Sequence, residues 1–387
     1  MIYSIASIGA SPTPQTSIDL KNVQVFYTVG ENATFQAEYE TTSIVTETFL
    51  HISPQGRESQ VFLIENARDG QILFPLDLTT LGIYPFSRIY YWFEWSLIDG
   101  TKFSSAAFWF DYLDNRFEWQ SQISDVIEIY WQVGDGTFAQ SIFNTARTSI
   151  EDISEIINAQ LPQPLKIVVY SNPTDLQSAL NFSDQTWIAG HANPALGMVF
   201  ISLPEGPNQQ LELERQLPHE IMHLAEYQLA GPSYADQPVW LKEGLASIVE
   251  LYPNSDYERV LQKAAANHTI VPLKDYCLSF PKDASGAFQA YAQSSSFVKF
   301  LREQFGSASL QLLILNYRGG MNCQEGFYNT YGINLQQAQN QWQKSILGIN
   351  TNQVAWNNLS PYLALSAFLV ISPVFSIFVH RRKGKLF

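Results

Sequence analysis

The residues in this sequence with the plainest capacity for chemistry are His219-Glu220-Ile221-Met222-His223. Histidines four apart on a helix project from one face, a turn apart, so their Nε2 atoms can close on a single zinc ion at about 2.0–2.1 Å. Glu220, one residue past the first histidine, would lie at the ion's open position. A carboxylate there can take a proton from zinc-activated water and pass it to a leaving amine. A hydrolytic zinc site also needs a third protein ligand. Glu243 is the candidate: it stands in Trp240-Leu241-Lys242-Glu243-Gly244-Leu245-Ala246, with 19 residues between it and His223. Gly231-Pro232 and Pro238 mark a turn between the two expected helices, and an antiparallel return of that length brings the carboxylate back to the histidine face. Pro218 removes one helical hydrogen bond directly before the first histidine and predicts a kink or a helix start there. The bland alternative for the triplet is a hydrogen-bonded surface set with no metal.

These segments resemble the gluzincins, the thermolysin- and aminopeptidase N-like metallopeptidases, and most of all the bacterial peptidase MA-like domain. His219-Glu220-x-x-His223 matches the zinc helix of that group and the segment around Glu243 its third-ligand helix; more loosely, the likeness extends over about 116–347. It implies a zinc metallopeptidase acting on peptide or protein substrates, with Zn²⁺ on His219, His223 and Glu243 and Glu220 as general base, then acid. It further implies that Tyr291, in Ala287-Phe288-Gln289-Ala290-Tyr291-Ala292-Gln293-Ser294, donates to the developing oxyanion. Among 19 tyrosines, a core or interfacial ring is the competing account of Tyr291. Residues 190–202 are expected at the sheet edge beside the cleft, where gluzincins pair an extended substrate. Within that stretch His191 reads as a hydrogen-bonded loop histidine rather than a substrate contact. Two departures stand out: Ser247 occupies the place where thermolysin-like members carry an acid, and the spacing to Glu243 is one longer than the aminopeptidase norm. Glu226 and Leu229, where a metzincin would have Gly and a third His, exclude that group.

Short alternating stretches at 23–29, 33–39, 44–52, 60–64, 89–97 and 102–110 predict strands, with turns at Pro54-Gln55-Gly56, Asp69-Gly70 and Asp99-Gly100. They predict an all-β, immunoglobulin-like sandwich over 18–115. Past residue 116 the period changes. Strands are expected at 126–131, 166–170 and 197–202, and helices at 138–159, 175–180, 211–229, 239–251, 257–266 and 288–305. This is the pattern of an α+β, zincin-like domain over 116–350. The sandwich shows no catalytic set and reads as a spacing, docking or presentation module whose deletion would spare the peptidase.

With 387 residues the chain suits two globular units, and 15% charged against 46% hydrophobic residues argues for folded cores rather than disorder. Arg381, Arg382, Lys383 and Lys385 supply four of 22 basic residues, leaving 18 against 36 acidic ones upstream. Nucleic acid is excluded as a partner by that balance, since a phosphate backbone needs a basic face. From Lys344 to Arg381 no charged side chain occurs, and 359–379 is an apolar run of 21 residues, close to the roughly 20 that a helix needs to cross a bilayer. The lipid bilayer is thus an expected partner, through one transmembrane helix followed by a cytoplasmic basic tail at 380–387. A single-pass protein of the cell membrane with its main body extracytoplasmic follows. Residues 1–17 read as a leader or disordered terminus; 1–10 lack a basic start and make a poor signal peptide. Cys277 and Cys323 allow one disulfide or two buried thiols, and exclude a cysteine-ligated metal. The alternative from another class is a surface binding or adhesion protein that keeps the peptidase-like domain without turnover.

Overall fold

The computed structural model describes residues 18–349, except 66, 68, 69 and 181–189, together with 359–367 and 369. The expected leader, most of the expected membrane segment and the basic tail lie outside the described residues. Residues 359–367 are helical, and among the described residues no helix is long and apolar enough to cross a membrane.

Eight strands come first: β1 (Ile18–Thr28), β2 (Asn32–Thr41), β3 (Val45–Pro54), β4 (Gln60–Leu63), β5 (Gln71–Asp77), β6 (Ser87–Leu97), β7 (Lys102–Ser104) and β8 (Phe108–Tyr112). They form two antiparallel sheets, β1-β2-β5 and β4-β3-β6-β7, with β8 also paired to β6. Alternation drives the assembly. In β6, Ile89, Tyr91, Phe93, Trp95 and Leu97 are buried while the residues between them reach outward, and Phe35 of the other sheet meets Tyr91 edge-on at 5.1 Å. The stretch expected as one strand at 102–110 is two, β7 and β8, and β5 was not anticipated.

The second unit holds β9 (Gln120–Ile123), β10 (Ile127–Trp131), α1 (Gly136–Ser154), β11 (Leu165–Tyr170), α2 (Pro173–Leu180), β12 (Gly190–Asn193) and β13 (Met198–Ser202). Helices follow: α3 (Gln209–Ala230), α4 (Val239–Ile248), α5 (Asp256–Ala266), α6 (Ala284–Phe305), α7 (Ser307–Arg318), α8 (Cys323–Tyr331) and α9 (Leu335–Ile346). The sheet order is β12-β13-β11-β10-β9, with a parallel centre and antiparallel edges. One face, carrying Ile129, Ile167, Val169, Val199 and Ile201, packs on the helices. The other, carrying Val168, Tyr170, Met198 and Phe200, packs on α2 and on Phe86 of the sandwich. Both faces are covered at the centre, which is why β11 and β13 read as nearly continuous apolar runs.

That second face packs the sandwich directly against the sheet. Phe86 is fully buried with its ring 4.8 Å from Trp119 and 5.0 Å from Tyr130, and its carbonyl accepts from Lys166 Nζ at 2.7 Å. Nearby, fully buried Asp114 accepts from Arg116 at 2.8 and 2.7 Å and from the Tyr170 hydroxyl at 2.9 Å. A buried carboxylate needs such partners. Removing the sandwich would strip the sheet of an apolar cover and break this network.

Candidate metal centre

α3 and α4 position the chemistry, and each does so for a legible reason. Leu213, Leu217, Ile221, Met222, Leu224 and Ala225 bury one side of α3, so His219, Glu220 and His223 are left toward the cleft. Pro218 does not end the helix, which runs unbroken from Gln209 to Ala230. Lacking an N–H, it leaves the Glu214 carbonyl without its helical donor. Leu251, just past α4, supplies one instead: its N–H reaches Glu214 O at 2.9 Å. The proline thus creates an anchor that holds the end of α4 against α3. Midway along α4, Gly244 lets the helix lie against α6; a Cβ there would sit 2.5 Å from Val298 Cγ2 and 2.7 Å from the Ser294 carbonyl. That close approach brings Glu243 near Tyr291. A disulfide between Cys277 and Cys323 ties the loop before α6 to α8, and the Cys277 carbonyl accepts from Val239 N, the first residue of α4, at 3.1 Å.

His219, His223 and Glu243 converge, with one ligand atom from each lying within 4.8 Å of the others. Glu243 Oε2 is 3.4 Å from His219 Nε2 and 3.9 Å from His223 Nε2. Behind them, His219 Nδ1 is 3.1 Å from Glu250 Oε1. His223 Nδ1 is 2.9 Å from the Tyr234 hydroxyl and 3.3 Å from Glu226 Oε2. Occupying each Nδ1 with an acceptor leaves both Nε2 lone pairs for a common centre, the arrangement that orients imidazole ligands. One oxygen each of Glu226 and Glu250 is buried with no hydrogen-bond partner. A cation beyond the imidazoles would offset the cost of holding these carboxylates out of water. The donor set fits zinc: two imidazole nitrogens and one carboxylate oxygen.

Electrostatics follow burial and proximity. Burial pushes the Glu220 carboxyl up to about 7, helped by Glu243 and opposed by His219 and by the Ala192 N–H it accepts. Burial likewise lifts Glu226 well above the usual carboxylate range. His223 is pressed down to about 3 by burial. His219 feels the same burial, but its hydrogen bonds to Glu243 and Glu250 win and raise it well above an ordinary histidine. For Glu243, burial pulls upward, yet the hydrogen bond from His219 and both nearby imidazoles carry it below its usual value. Tyr291, buried beside Glu243 and Glu220, is raised well above an ordinary phenol and so remains a donor.

Tyr291 lies on α6 with its ring 6.3 Å from that of His219, lining the same cleft. The expected edge strand is β12, paired antiparallel with β13. Gly190 at its start touches the general-base candidate: a Cβ there would lie 2.5 Å from Glu220 Oε1. His191 is on this strand rather than in a loop, lines the cleft, and stacks on Tyr84 of the sandwich at 6.1 Å between ring centres. Sequence reasoning missed Glu250, Glu226 and Tyr234. Glu226 carries a helical signal, three residues after His223 on α3, whereas Glu250 lies past the end of α4 and Tyr234 between the helices. Glu250 answers the acid absent at Ser247: it reaches the histidine from three residues further on.

Fold and centre together define a zinc-metallopeptidase-like domain. A family model of the Peptidase MA superfamily matches residues 145–348, more than half of the 387, and the chain belongs to that superfamily, with a gluzincin-like peptidase domain. Among solved structures, an aminopeptidase N family protein from Idiomarina loihiensis is similar over 88% of this chain and 75% of its own, at 8% identity and a TM-score of 0.38. An M1 zinc metallopeptidase from Deinococcus radiodurans covers 85% of this chain and 94% of its own, at 11% identity and a TM-score of 0.35. A family 56 carbohydrate-binding module, a beta-1,3-glucan binding domain, aligns with 24% of this chain and 98% of its own, at 17% identity and a TM-score of 0.18. No curated protein matches.

Proposed function

We propose that this chain is a membrane-anchored zinc metallopeptidase that hydrolyses peptide bonds. The observation that carries the reading is the convergence of His219, His223 and Glu243 on one point in an open cleft, with Glu220 beside them. Zinc held by these three side chains would polarise the scissile carbonyl and make water nucleophilic at neutral pH. Glu220 would receive the proton on its buried carboxylate and return it to the departing amine. The Tyr291 phenol, kept protonated, is the donor for negative charge developing on the carbonyl oxygen. β12, the terminal strand of its sheet among the described residues, would offer backbone groups to an extended substrate, fixing the peptide direction without demanding particular side chains.

Supporting the anchor are the 21 uncharged, apolar positions of 359–379 and the basic residues after them, which favour a cytoplasmic C-terminus and an extracytoplasmic body. The order β1-β2-β5 against β4-β3-β6-β7 supports reading the sandwich as immunoglobulin-like. The deciding experiment is metal analysis and peptide hydrolysis on the purified protein, wild type against Glu220→Gln. Stoichiometric zinc in both, with activity lowered about 10²–10⁴-fold in the variant, is expected; zinc-loaded wild type that cleaves no member of a mixed peptide library would refute the peptidase reading. Protease added to intact cells should digest the body, and protection would refute the orientation.

A further inference from the structure

Three carboxylates line the cleft among the described residues: Glu220, Glu243 and Glu250. None is spare. Glu220 takes the Ala192 N–H, Glu243 serves the two histidines, and Glu250, only 3% exposed in its side chain, serves His219. The edge strand itself, Gly190-His191-Ala192-Asn193, has no acidic residue. Among the described residues, the buried carboxylate oxygen left without a partner on these walls is Glu250 Oε2, and it is closed off from solvent.

Two cations line the same cleft, Arg215 and Lys242. Arg215, one turn before His219, is already engaged: it donates to Glu212 at 2.8 Å and lies 5.8 Å from the centre of the Tyr252 ring. Lys242 is different. Its ammonium lies 5.1 Å from the centre of the Tyr234 ring, the tyrosine that backs His223, and it enters no ion pair or side-chain hydrogen bond among the described residues. It is half-buried, adjacent in sequence to the third ligand, and on a helix fixed at both ends. A lysine held this way presents a preformed charge at the His223 end of the cleft, where a partner would gain a charge-assisted hydrogen bond at little ordering cost.

We propose that Lys242 makes the cleft selective for substrates presenting a carboxylate next to the reacting bond, from an acidic side chain or from the chain's C-terminus. This rests on the peptidase reading of the site but is tested apart from turnover. The probes are labelled hexapeptides in matched pairs, Glu against Gln at each position in one arm and free C-terminal acid against amide in the other. Binding to the zinc-loaded whole chain is followed by fluorescence anisotropy, for the natural sequence, Lys242→Met and Lys242→Glu. One arm should show about a tenfold preference for the carboxylate, the scale of a single charge-assisted hydrogen bond. Lys242→Met should bring that ratio near one, and Lys242→Glu should reverse it. The responding arm identifies the source of the carboxylate. Equal binding of both members of every pair, a preference unchanged in both variants, or no binding at all would overturn the proposal. Carboxylate-selective binding without cleavage would sink the peptidase reading and leave this one standing; cleavage without selectivity would do the reverse.

Discussion

Replacing Glu250 should loosen the metal without touching a ligand. Its Oε1 lies 3.1 Å from His219 Nδ1, its side chain is 3% exposed, and its other oxygen has no partner. With zinc on Nε2, His219 would carry its proton on Nδ1, and Glu250 would be the acceptor that fixes this tautomer and the ring's angle. Loss of such an outer partner costs about 10–100-fold in metal affinity, which is about 1.4–2.8 kcal/mol. Glu250→Gln keeps an acceptor oxygen and loses the charge, so it should fall near the lower figure. Glu250→Ala loses both and leaves the ring free, so it should approach the upper one. Because Leu251 N is bonded to the Glu214 carbonyl freed by Pro218, the backbone at 250 should stay in place in either variant. Competition with a chromogenic zinc chelator measures the affinity, and circular dichroism checks the fold. Wild-type zinc affinity in a folded Glu250→Ala protein would refute the argument that this carboxylate orients His219.

Tyr291→Phe should lower kcat about 100-fold while zinc content stays stoichiometric, as expected for an oxyanion donor that holds no metal; unchanged kcat would return Tyr291 to a packing role. Gly190→Ala should push on the Glu220 carboxylate, because the new methyl would lie 2.5 Å from its Oε1. A 10- to 100-fold drop in kcat/KM with zinc retained is the estimate for misplacing a catalytic group by about 1 Å, and wild-type kinetics would contradict it. Burial presses His191 down to about 4 from 6.5. The unfolded chain therefore takes up a proton before the folded one, and stability falls as pH drops through that window. The loss between about pH 7 and pH 5 is roughly 2 kcal/mol. Urea titrations of wild type and His191→Gln at the two pH values test it: equal pH dependence in the two proteins would remove His191 from the account.

Local spacing alone set the heart of the site. Two histidines four apart on a helix share a face whatever surrounds them, and Glu243 on a returning helix can meet them because the turn is short and marked by Gly and Pro. For the same reason strands β6 and β10 were visible in their alternation, and β11 and β13 as continuous apolar runs. Elements with weak local signals were not: β5 and the polar β9 are strands because neighbours pair with them, and 102–110 breaks in two because β7 and β8 meet different stretches of β6. Tertiary structure decided the rest. Pro218, which by propensity should end or kink α3, instead hands a carbonyl to Leu251, and only the folded chain supplies that donor. Glu250 and Tyr234 acquire their roles from packing between elements, which no single-helix period encodes. The junction core around Phe86 and Asp114 joins residues far apart in sequence, so a chain that reads as two modules is welded where they touch. Periodicity reports what a residue's own helix or strand imposes; contacts across elements depend on how those elements pack, and that is fixed only when the whole core closes.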